Sequence, residues 1–176
     1  MPTSFGVHCN GCPYENAKHL SQEDREIRSA PLSMDKGRQA TVLLIFQAPG
    51  VNEWRNGRPV SSTALRSAGG RLTKAFRQAG KTRDNYAITN TVQCFPGKRS
   101  QAADARDKLP PVLVSKHCTK WLEQDIRSGP YTHVVVFGSL ARRAVEALDY
   151  DCDERFRFIK HPAGGLSNTE LYAAVS

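Results

Sequence analysis

The sequence contains no apolar run of about 18 residues, the length that a membrane-spanning helix requires. Its first residues, "MPTSFGVHCNGC", also lack the apolar core of a secretory signal. Internal repeats and low-complexity tracts are absent as well. These absences predict a soluble cytoplasmic protein that does not bind a membrane. The chain of 176 residues suits a single domain, residues 1–176, that is long enough to bury a core.

Acidic residues are scarce relative to basic ones, with 17 Asp and Glu against 25 Lys and Arg, which gives a net charge of +8. This balance favours a polyanionic partner, and nucleic acid more than a membrane surface or mere solubility. The basic residues are spread over several segments, which predicts a folded basic face rather than a disordered tail. The basic residues of these segments are Arg66, Arg71, Lys74 and Arg77; Lys98 and Arg99; Arg142 and Arg143; and Arg155, Arg157 and Lys160.

Only five cysteines are present, and without a secretion signal they favour metal ligands or buried thiols over a disulfide framework. Cys9 and Cys12 are two residues apart, so both thiolates can reach one metal, although a redox pair has the same spacing. With Cys94 and Cys118 they make four thiols that suit a four-iron cluster or a structural zinc. Alternatively, Cys94 and Cys118 are core thiols. Cys152, which lies between acidic residues, is interpreted as a bystander.

Apolar runs and amphipathic stripes alternate along the chain. Strands are predicted over residues 41–46, 85–94 and 132–139 and within 155–162, and helices over 69–80, 117–129 and 140–149. This alternation predicts an α/β fold, a three-layer α/β/α sandwich with a central four-stranded, mainly parallel sheet.

In open parallel sheets, ligands bind beyond the carboxyl ends of the strands. The connection between Phe46 and the helix at Gly70 exceeds twenty residues, far longer than usual, and we expect it to be functional. Four segments are expected to meet at this edge: the "QAPG" loop of residues 47–50, the segment after Asn90, the pair Gly138 and Ser139, and His161.

Each of these segments also has a plainer interpretation. "QAPG" can be an ordinary turn, although Pro49 and Gly50 together let backbone N–H groups face a ligand. Asn90 is a polar residue at the end of a buried strand, and its amide can either bond a neighbouring loop or read the edge of a base. A lone His161 can be a surface residue, but its predicted place beside Gln47 and Asn90 favours a role in the site.

Five motifs in order, "QAPGVNEWRNGRP…AGGRL", "ITNTVQCFPGKR", "CTKWL", "VVVFGSLA" and "KHPAGGL", resemble the uracil-DNA glycosylase superfamily, and within it the iron-sulfur family-four branch. The resemblance extends from Cys9 to Leu166. It implies the glycosylase sandwich fold, a DNA partner, a monomer associated with the nucleoid, and removal of a flipped pyrimidine from DNA.

The resemblance also implies a role for each matched residue. Asn90 would read the Watson-Crick edge of the base, His161 would stabilise charge on its O2, and the loop with Gln47 would hold the base and a water. Leu166 would be either a wedge into the base stack or a core residue. The implied DNA-contacting residues are Ala48, Pro49, Gly50, Val60, Arg99, Ser139, Gly164 and Leu166. The implied ligands of a four-iron cluster, with zinc as the alternative, are Cys9, Cys12, Cys94 and Cys118, so that the N-terminal segment joins the cluster site.

The chain departs from the family pattern in its expected base pocket. Gln47 stands where the family has Glu, and Val60 stands where the family has a Phe that stacks on uracil. The segment "VSSTALRSAGG" is longer and more polar than the pattern, and an insertion separates Cys94 from Cys118. The expected substrate is therefore either uracil or a bulky modified cytosine of phage DNA, which would make the protein a defence enzyme. The alternatives are a non-catalytic iron-sulfur DNA-binding module and a thiol redox protein.

Overall fold

The structure is a computed structural model that describes residues 9–100, 102 and 105–176. Residues 101, 103 and 104, which belong to the predicted insertion between Cys94 and Cys118, lie outside the described residues.

The described residues form five strands and six α-helices, with 3₁₀ turns at Glu15–Ala17 and Arg83–Asn85. The strands are β1 (Asp35–Lys36), β2 (Val42–Phe46), β3 (Tyr86–Asn90), β4 (His133–Phe137) and β5 (Phe156–Ile159). The helices are α1 (Gln22–Ile27), α2 (Val51–Asn56), α3 (Ala68–Gln78), α4 (Val112–Arg127), α5 (Ser139–Glu146) and α6 (Asn168–Val175).

The strands form one sheet in the order β1-β3-β2-β4-β5, in which β2 to β5 are parallel and β1 pairs antiparallel with β3. The predicted α/β sandwich with a mainly parallel sheet is therefore confirmed. The number of strands is corrected from four to five, because β1 is a two-residue polar strand that leaves no apolar run in the sequence.

Helices cover both faces of the sheet. On one face Leu44 and Phe46 pack with residues of α3 and α6, and on the other Leu43 and Ile45 pack with residues of α4 and α5. Side chains of successive strand residues point to opposite faces, so a fully apolar strand such as β2 supplies both cores. The central strands are thereby held firmly, and their carboxyl ends form a defined edge.

Three helices, α1, α2 and α6, lie where the sequence predicted none. Helix α2 lies inside the long connection after Phe46, begins after Gly50 and ends at Gly57, a glycine with a φ of 69°. Its six residues are too few for an amphipathic repeat, so the sequence predicted only an irregular loop. Helix α6 follows the His161 loop and begins with a capping box between Ser167 and Glu170.

None of the helices in the described part of the chain is long and apolar enough to cross a membrane.

Candidate active site at the carboxyl edge of the sheet

The carboxyl ends of the parallel strands lie in register. Phe46 pairs with Asn90 across β2 and β3, and Phe137 pairs with Ile159 across β4 and β5. The segments that follow these strands therefore start from one edge of the sheet. The structure brings Gln47, Asn90 and His161 to this edge, as the sequence predicted.

The loop after β2 is bonded to the segment after β3. The backbone N–H of Thr91 donates to the Phe46 carbonyl at 2.7 Å, and the N–H of Val92 donates to the Gln47 carbonyl at 2.9 Å. The Thr91 hydroxyl also donates to the Gln47 carbonyl, at 2.8 Å. Backbone hydrogen bonds thus join the two segments just beyond the ends of β2 and β3 and hold the backbone of residue 47 in place.

Two carboxylates flank this loop, although Gln47 itself has none. A Cβ atom added to Gly50 would lie 2.6 Å from Glu53 Oε2 and 3.2 Å from Asp107 Oδ2. Gly50 therefore leaves the space that these carboxylates use. Pro49 beside it is buried, and Ala48 packs against the cysteine-containing core described below.

Asn90 is the last residue of β3 and is 3% exposed. Within the described residues, its side-chain oxygen Oδ1 is buried without a hydrogen-bond partner. A buried acceptor of this kind costs free energy unless another group bonds it, so it favours a ligand that brings a donor to this strand end.

His161 lies against the ends of β2 and β4. Its ring meets the ring of Phe46 edge-on, with centroids 5.9 Å apart. A Cβ on Gly138, which has a φ of 88°, would lie 3.2 Å from the Cβ of His161, so glycine permits this close approach.

The protonation of His161 follows from its surroundings. Burial lowers the pKa of the imidazole below its usual value. The backbone N–H of Ala163 donates to Nδ1 at 3.1 Å, and because a peptide N–H can only donate, Nδ1 must be an acceptor. The neutral ring then carries its proton on Nε2, which makes His161 a hydrogen-bond donor at neutral pH.

The loop after His161 is tied to helix α3 by Arg71. The Arg71 guanidinium donates to the carbonyls of Pro162 and Leu166 and to Asn168 Oδ1, the last at 2.9 Å. The sequence analysis placed Arg71 in a basic face, but its half-buried side chain binds this loop. Leu166 is 4% exposed and packs in the core on the α3 side, so of its two expected roles this structure favours the core residue. Gly164 is exposed in the turn between them.

Val60 has a φ of 47°, which is unusual for a β-branched residue, and it is buried in the core beside Leu166. Arg83 holds this backbone by donating to the carbonyls of Pro59 and Val60. Asp35 in turn binds Arg83 at 2.5 Å and Arg58 at 2.8 Å. These contacts, between residues distant in sequence, fix the backbone of Pro59 and Val60.

Arg99 and Ser139 are exposed. Ser139 begins α5 and borders a cavity of about 430 Å³ beside the edge. The cavity is also lined by three basic residues, Arg142, Arg157 and Lys160. Glu170 also lines the cavity, so the lining keeps an excess of basic residues, which suits an anionic ligand such as a DNA backbone.

The four predicted cysteine ligands lie near one another. Cys12, Cys94 and Cys118 belong to one buried cluster that also contains Trp54 and Phe95. Gly11, with a φ of 76°, allows the turn that brings the Cys12 N–H to 2.9 Å from the Cys9 carbonyl. Cys152 is exposed and lies apart from this buried cluster.

Peptide and indole N–H groups point at three of these sulfurs. The N–H of Tyr14 donates to Cys12 Sγ at 3.4 Å. Hydrogen bonding by the Gln93 backbone and by the Trp121 indole opposes the rise in the pKa of Cys118 and of Cys9 that burial causes. Donors of this kind stabilise thiolates, and no sequence motif indicates them.

Burial holds the free thiols of Cys94 and Cys118 in the neutral form. Burial raises the pKa of Cys118 to about 12, and burial together with the neighbouring thiols raises the pKa of Cys94 further. Among the described residues, no three His, Cys, Asp or Glu side chains already stand at metal-binding positions. The fit to a cluster therefore rests on four adjacent thiols and their N–H donors.

A half-buried carboxylate that the sequence analysis missed lies beneath the strand end. Asp125 on α4 accepts from the Thr89 hydroxyl at 2.5 Å and from Gln93 Nε2 at 3.3 Å. It shares the apolar stripe of α4 with Leu122 and Ile126, and an acid in that stripe was the available signal.

The family model of the uracil DNA glycosylase superfamily matches residues 34–173. The chain belongs to this superfamily. Its members are DNA glycosylases, enzymes that hydrolyse the bond between base and sugar, and they bind DNA. A search of curated proteins finds no match to this chain. The matched range contains all five strands and the residues of the carboxyl edge, while Cys9 and Cys12 precede it.

Proposed function

We propose that the protein is a DNA glycosylase that flips a pyrimidine out of DNA and hydrolyses its N-glycosidic bond. The observation that carries the proposal is the pair of groups at one edge of the superfamily fold: the buried, unpartnered Asn90 oxygen and the donor Nε2–H of His161. Asn90 would accept a hydrogen bond from the Watson-Crick edge of the base. His161 would donate to the pyrimidine O2.

The reaction adds the oxygen of water to C1′ of the sugar while the bond from C1′ to N1 of the base breaks. The bonding pair leaves with the base, and the negative charge is shared with O2, where a fixed donor lowers the barrier by about 3 kcal/mol. The water gives up a proton, and Glu53 or Asp107 beside Gly50 is the candidate acceptor because Gln47 lacks a carboxylate.

The base pocket supports a pyrimidine larger than uracil. Val60 supplies no ring for stacking at the place where the family has Phe, and Arg83 and Asp35 hold its backbone. A bulky modified cytosine, such as a hydroxymethylated or glucosylated one, is therefore the proposed substrate, and uracil is the alternative. Because such bases occur in phage DNA, the enzyme would then serve in defence.

We further propose that Cys9, Cys12, Cys94 and Cys118 hold a four-iron cluster, as in the family-four branch, with zinc as the alternative metal. The adjacent thiols and their N–H donors support this set. The bound cluster would supply structural cross-linking rather than chemistry at the base. Around it, Ala48 would link the cluster region to the loop of residues 47–50.

The test is to incubate the protein with matched duplexes that contain uracil, hydroxymethylcytosine, glucosylated cytosine or cytosine, and to detect abasic sites as alkali-labile breaks. We expect breaks at a modified base and none at cytosine. His161→Ala should lower the rate by on the order of a hundredfold without weakening DNA binding. His133→Ala, an exposed residue at the amino end of β4, is the control.

Each other result has a distinct meaning. Breaks at uracil alone would make the protein a repair enzyme and refute the larger pocket. DNA binding without breaks at any base would favour the non-catalytic module. The absence of a carboxylate at Gln47 is the feature that favours this alternative.

A further inference from the structure

Leu65 is the most exposed large apolar side chain of the described residues, at 90%. It lies on the longer, polar segment between Val60 and α3 that departs from the family pattern. A single exposed leucine has no meaning by itself. Three features of its surroundings give this one a meaning: a rigid turn, a place at the active edge and a basic neighbour.

The turn that carries Leu65 is held by hydrogen bonds. The Ser67 N–H donates to the Ala64 carbonyl at 2.9 Å, and the Ser67 hydroxyl donates to the same oxygen at 2.6 Å. The Gly70 N–H donates to the Ser67 hydroxyl at 3.0 Å. Leu65 and Arg66 are therefore the two central residues of a hydrogen-bonded turn that caps α3, and both are exposed.

The turn is packed on the first turn of α3 so closely that only glycine fits there. A Cβ on Gly70 would lie 2.2 Å from the Ala64 carbonyl oxygen, and one on Gly69 would lie 2.3 Å from the Ser62 carbonyl oxygen. This packing places the tip of the turn at a defined point and leaves Leu65 little freedom to fold back onto the core.

The same first turn of α3 carries Arg71, which binds the loop between His161 and Leu166. The turn with Leu65 and the loop with His161 thus flank one helix end at the carboxyl edge. Leu166, the residue in which the sequence predicted a wedge, is 4% exposed and fills the core instead. The edge therefore lacks an apolar projection at Leu166 and has one at Leu65.

We propose that Leu65 is the wedge that enters the base stack of duplex DNA and takes the space of the flipped nucleotide. The inference rests on the proposed function. Apolar side chains inserted between base steps unstack them, and flipping a base from a duplex costs a few kcal/mol that such a side chain offsets. Arg66 beside it is placed to meet a phosphate.

The test compares the full-length protein with Leu65→Ala and Leu65→Phe on one duplex and on the same strand unpaired. Leu65→Ala should lower kcat/KM on the duplex about tenfold, the equivalent of about 1.4 kcal/mol, and change it less than about twofold on the single strand. Leu65→Phe should keep the duplex activity. Leu109→Ala, at another exposed leucine, should alter neither.

A second measurement does not depend on cleavage. With 2-aminopurine next to the target base, binding of the unaltered protein should raise its fluorescence, and Leu65→Ala should lower that rise. If Leu65→Ala lowers the fluorescence rise but the unaltered protein cleaves no substrate, the wedge is upheld and the glycosylase function is refuted. The wedge is refuted if Leu65→Ala lowers kcat/KM equally on the duplex and on the unpaired strand. It is also refuted if the unaltered protein is active and Leu65→Ala changes neither kcat/KM nor the fluorescence rise.

Discussion

Asp125 illustrates how one half-buried carboxylate can support the candidate active edge from the opposite face of the sheet. Its carboxylate accepts hydrogen bonds from Thr89, which precedes Asn90, and from Gln93, which precedes Cys94. Successive residues of a strand face opposite sides, so Asp125 supports the strand from the α4 side while Asn90 faces away from it. The acid thus positions the end of β3 without touching a substrate.

Replacing Asp125 by Asn should change how stability depends on pH. Burial raises the pKa of Asp125 to about 6 from the ordinary 3.8, against the hydrogen bonds of Thr89 and Gln93 that lower it. Because the folded state holds the proton more tightly, stability is greatest below the unfolded pKa and falls as pH rises through 6. The free energy of unfolding of Asp125→Asn, relative to the unaltered protein, should rise by about 3 kcal/mol between acid and neutral pH.

Urea unfolding of Asp125→Asn and of the unaltered protein, at several pH values from acid to neutral, measures the difference between their free energies of unfolding. Glu123→Gln removes a surface carboxylate from the same helix, where it pairs with Arg127 at 2.8 Å, and serves as the control. A difference that does not vary with pH for Asp125→Asn would contradict the prediction.

At the scale of elements, the His161 loop depends on a side chain from α3. Arg71 reaches three acceptors that a single ammonium group cannot reach together. We therefore expect Arg71→Lys to lower kcat about tenfold by loosening His161, to leave the Kd for DNA nearly unchanged, and to cost about 1–2 kcal/mol of stability.

Steady-state kinetics together with a direct DNA-binding measurement check this prediction. Arg77→Lys, on the exposed surface of the last turn of α3, is the matched control. A loss of DNA affinity with kcat intact would mean that Arg71 contacts phosphate, as its place in the predicted basic face implied.

The elements that the sequence predicted are those with strong periodic patterns. Strands β2 to β5 are short apolar runs, and α3 to α5 carry apolar stripes, so their approximate ranges could be read directly. Helix α2 and strand β1 are too short and polar to leave such a pattern. The sequence-predicted strand over residues 85–94 ends at Asn90, because Thr91 and Val92 turn to bond the loop after β2.

The contacts that support the site could not be predicted in this way. Arg71 binds backbone carbonyls more than ninety residues away, and a carbonyl acceptor has no signature in the sequence. The motif alone left Leu166 as either a wedge or a core residue, and its packing in the core on the α3 side decided that it is buried. Residue types indicate the chemistry of the site, whereas long-range packing decides which residue performs it.

At the scale of the whole molecule, the cysteine-containing core joins the N-terminal segment to the sheet. Cys9 and Cys12 come from the start of the described chain, Cys94 follows β3, and Cys118 lies on α4. A metal bound by all four would make folding of this region depend on the metal, since binding free energy becomes folding free energy.

The metal content of purified protein tests this arrangement. The anaerobically purified protein should contain about four iron atoms per chain if the group is a four-iron cluster, and about one zinc for the alternative. Cys118→Ser should lose the metal and lower thermal stability, whereas Cys152→Ser, at the exposed cysteine, should change neither. Unaltered metal content in Cys118→Ser would refute the proposed ligand set.

The bonds that Thr91 and Val92 make to residue 47 use only the backbone carbonyl of Gln47. The chain path there is therefore independent of the side chain that residue 47 carries. Another side chain at this point, such as Glu, would leave these backbone bonds and the scaffold intact. At this residue the backbone keeps the shape of the edge, whereas the side chain alone determines the chemistry.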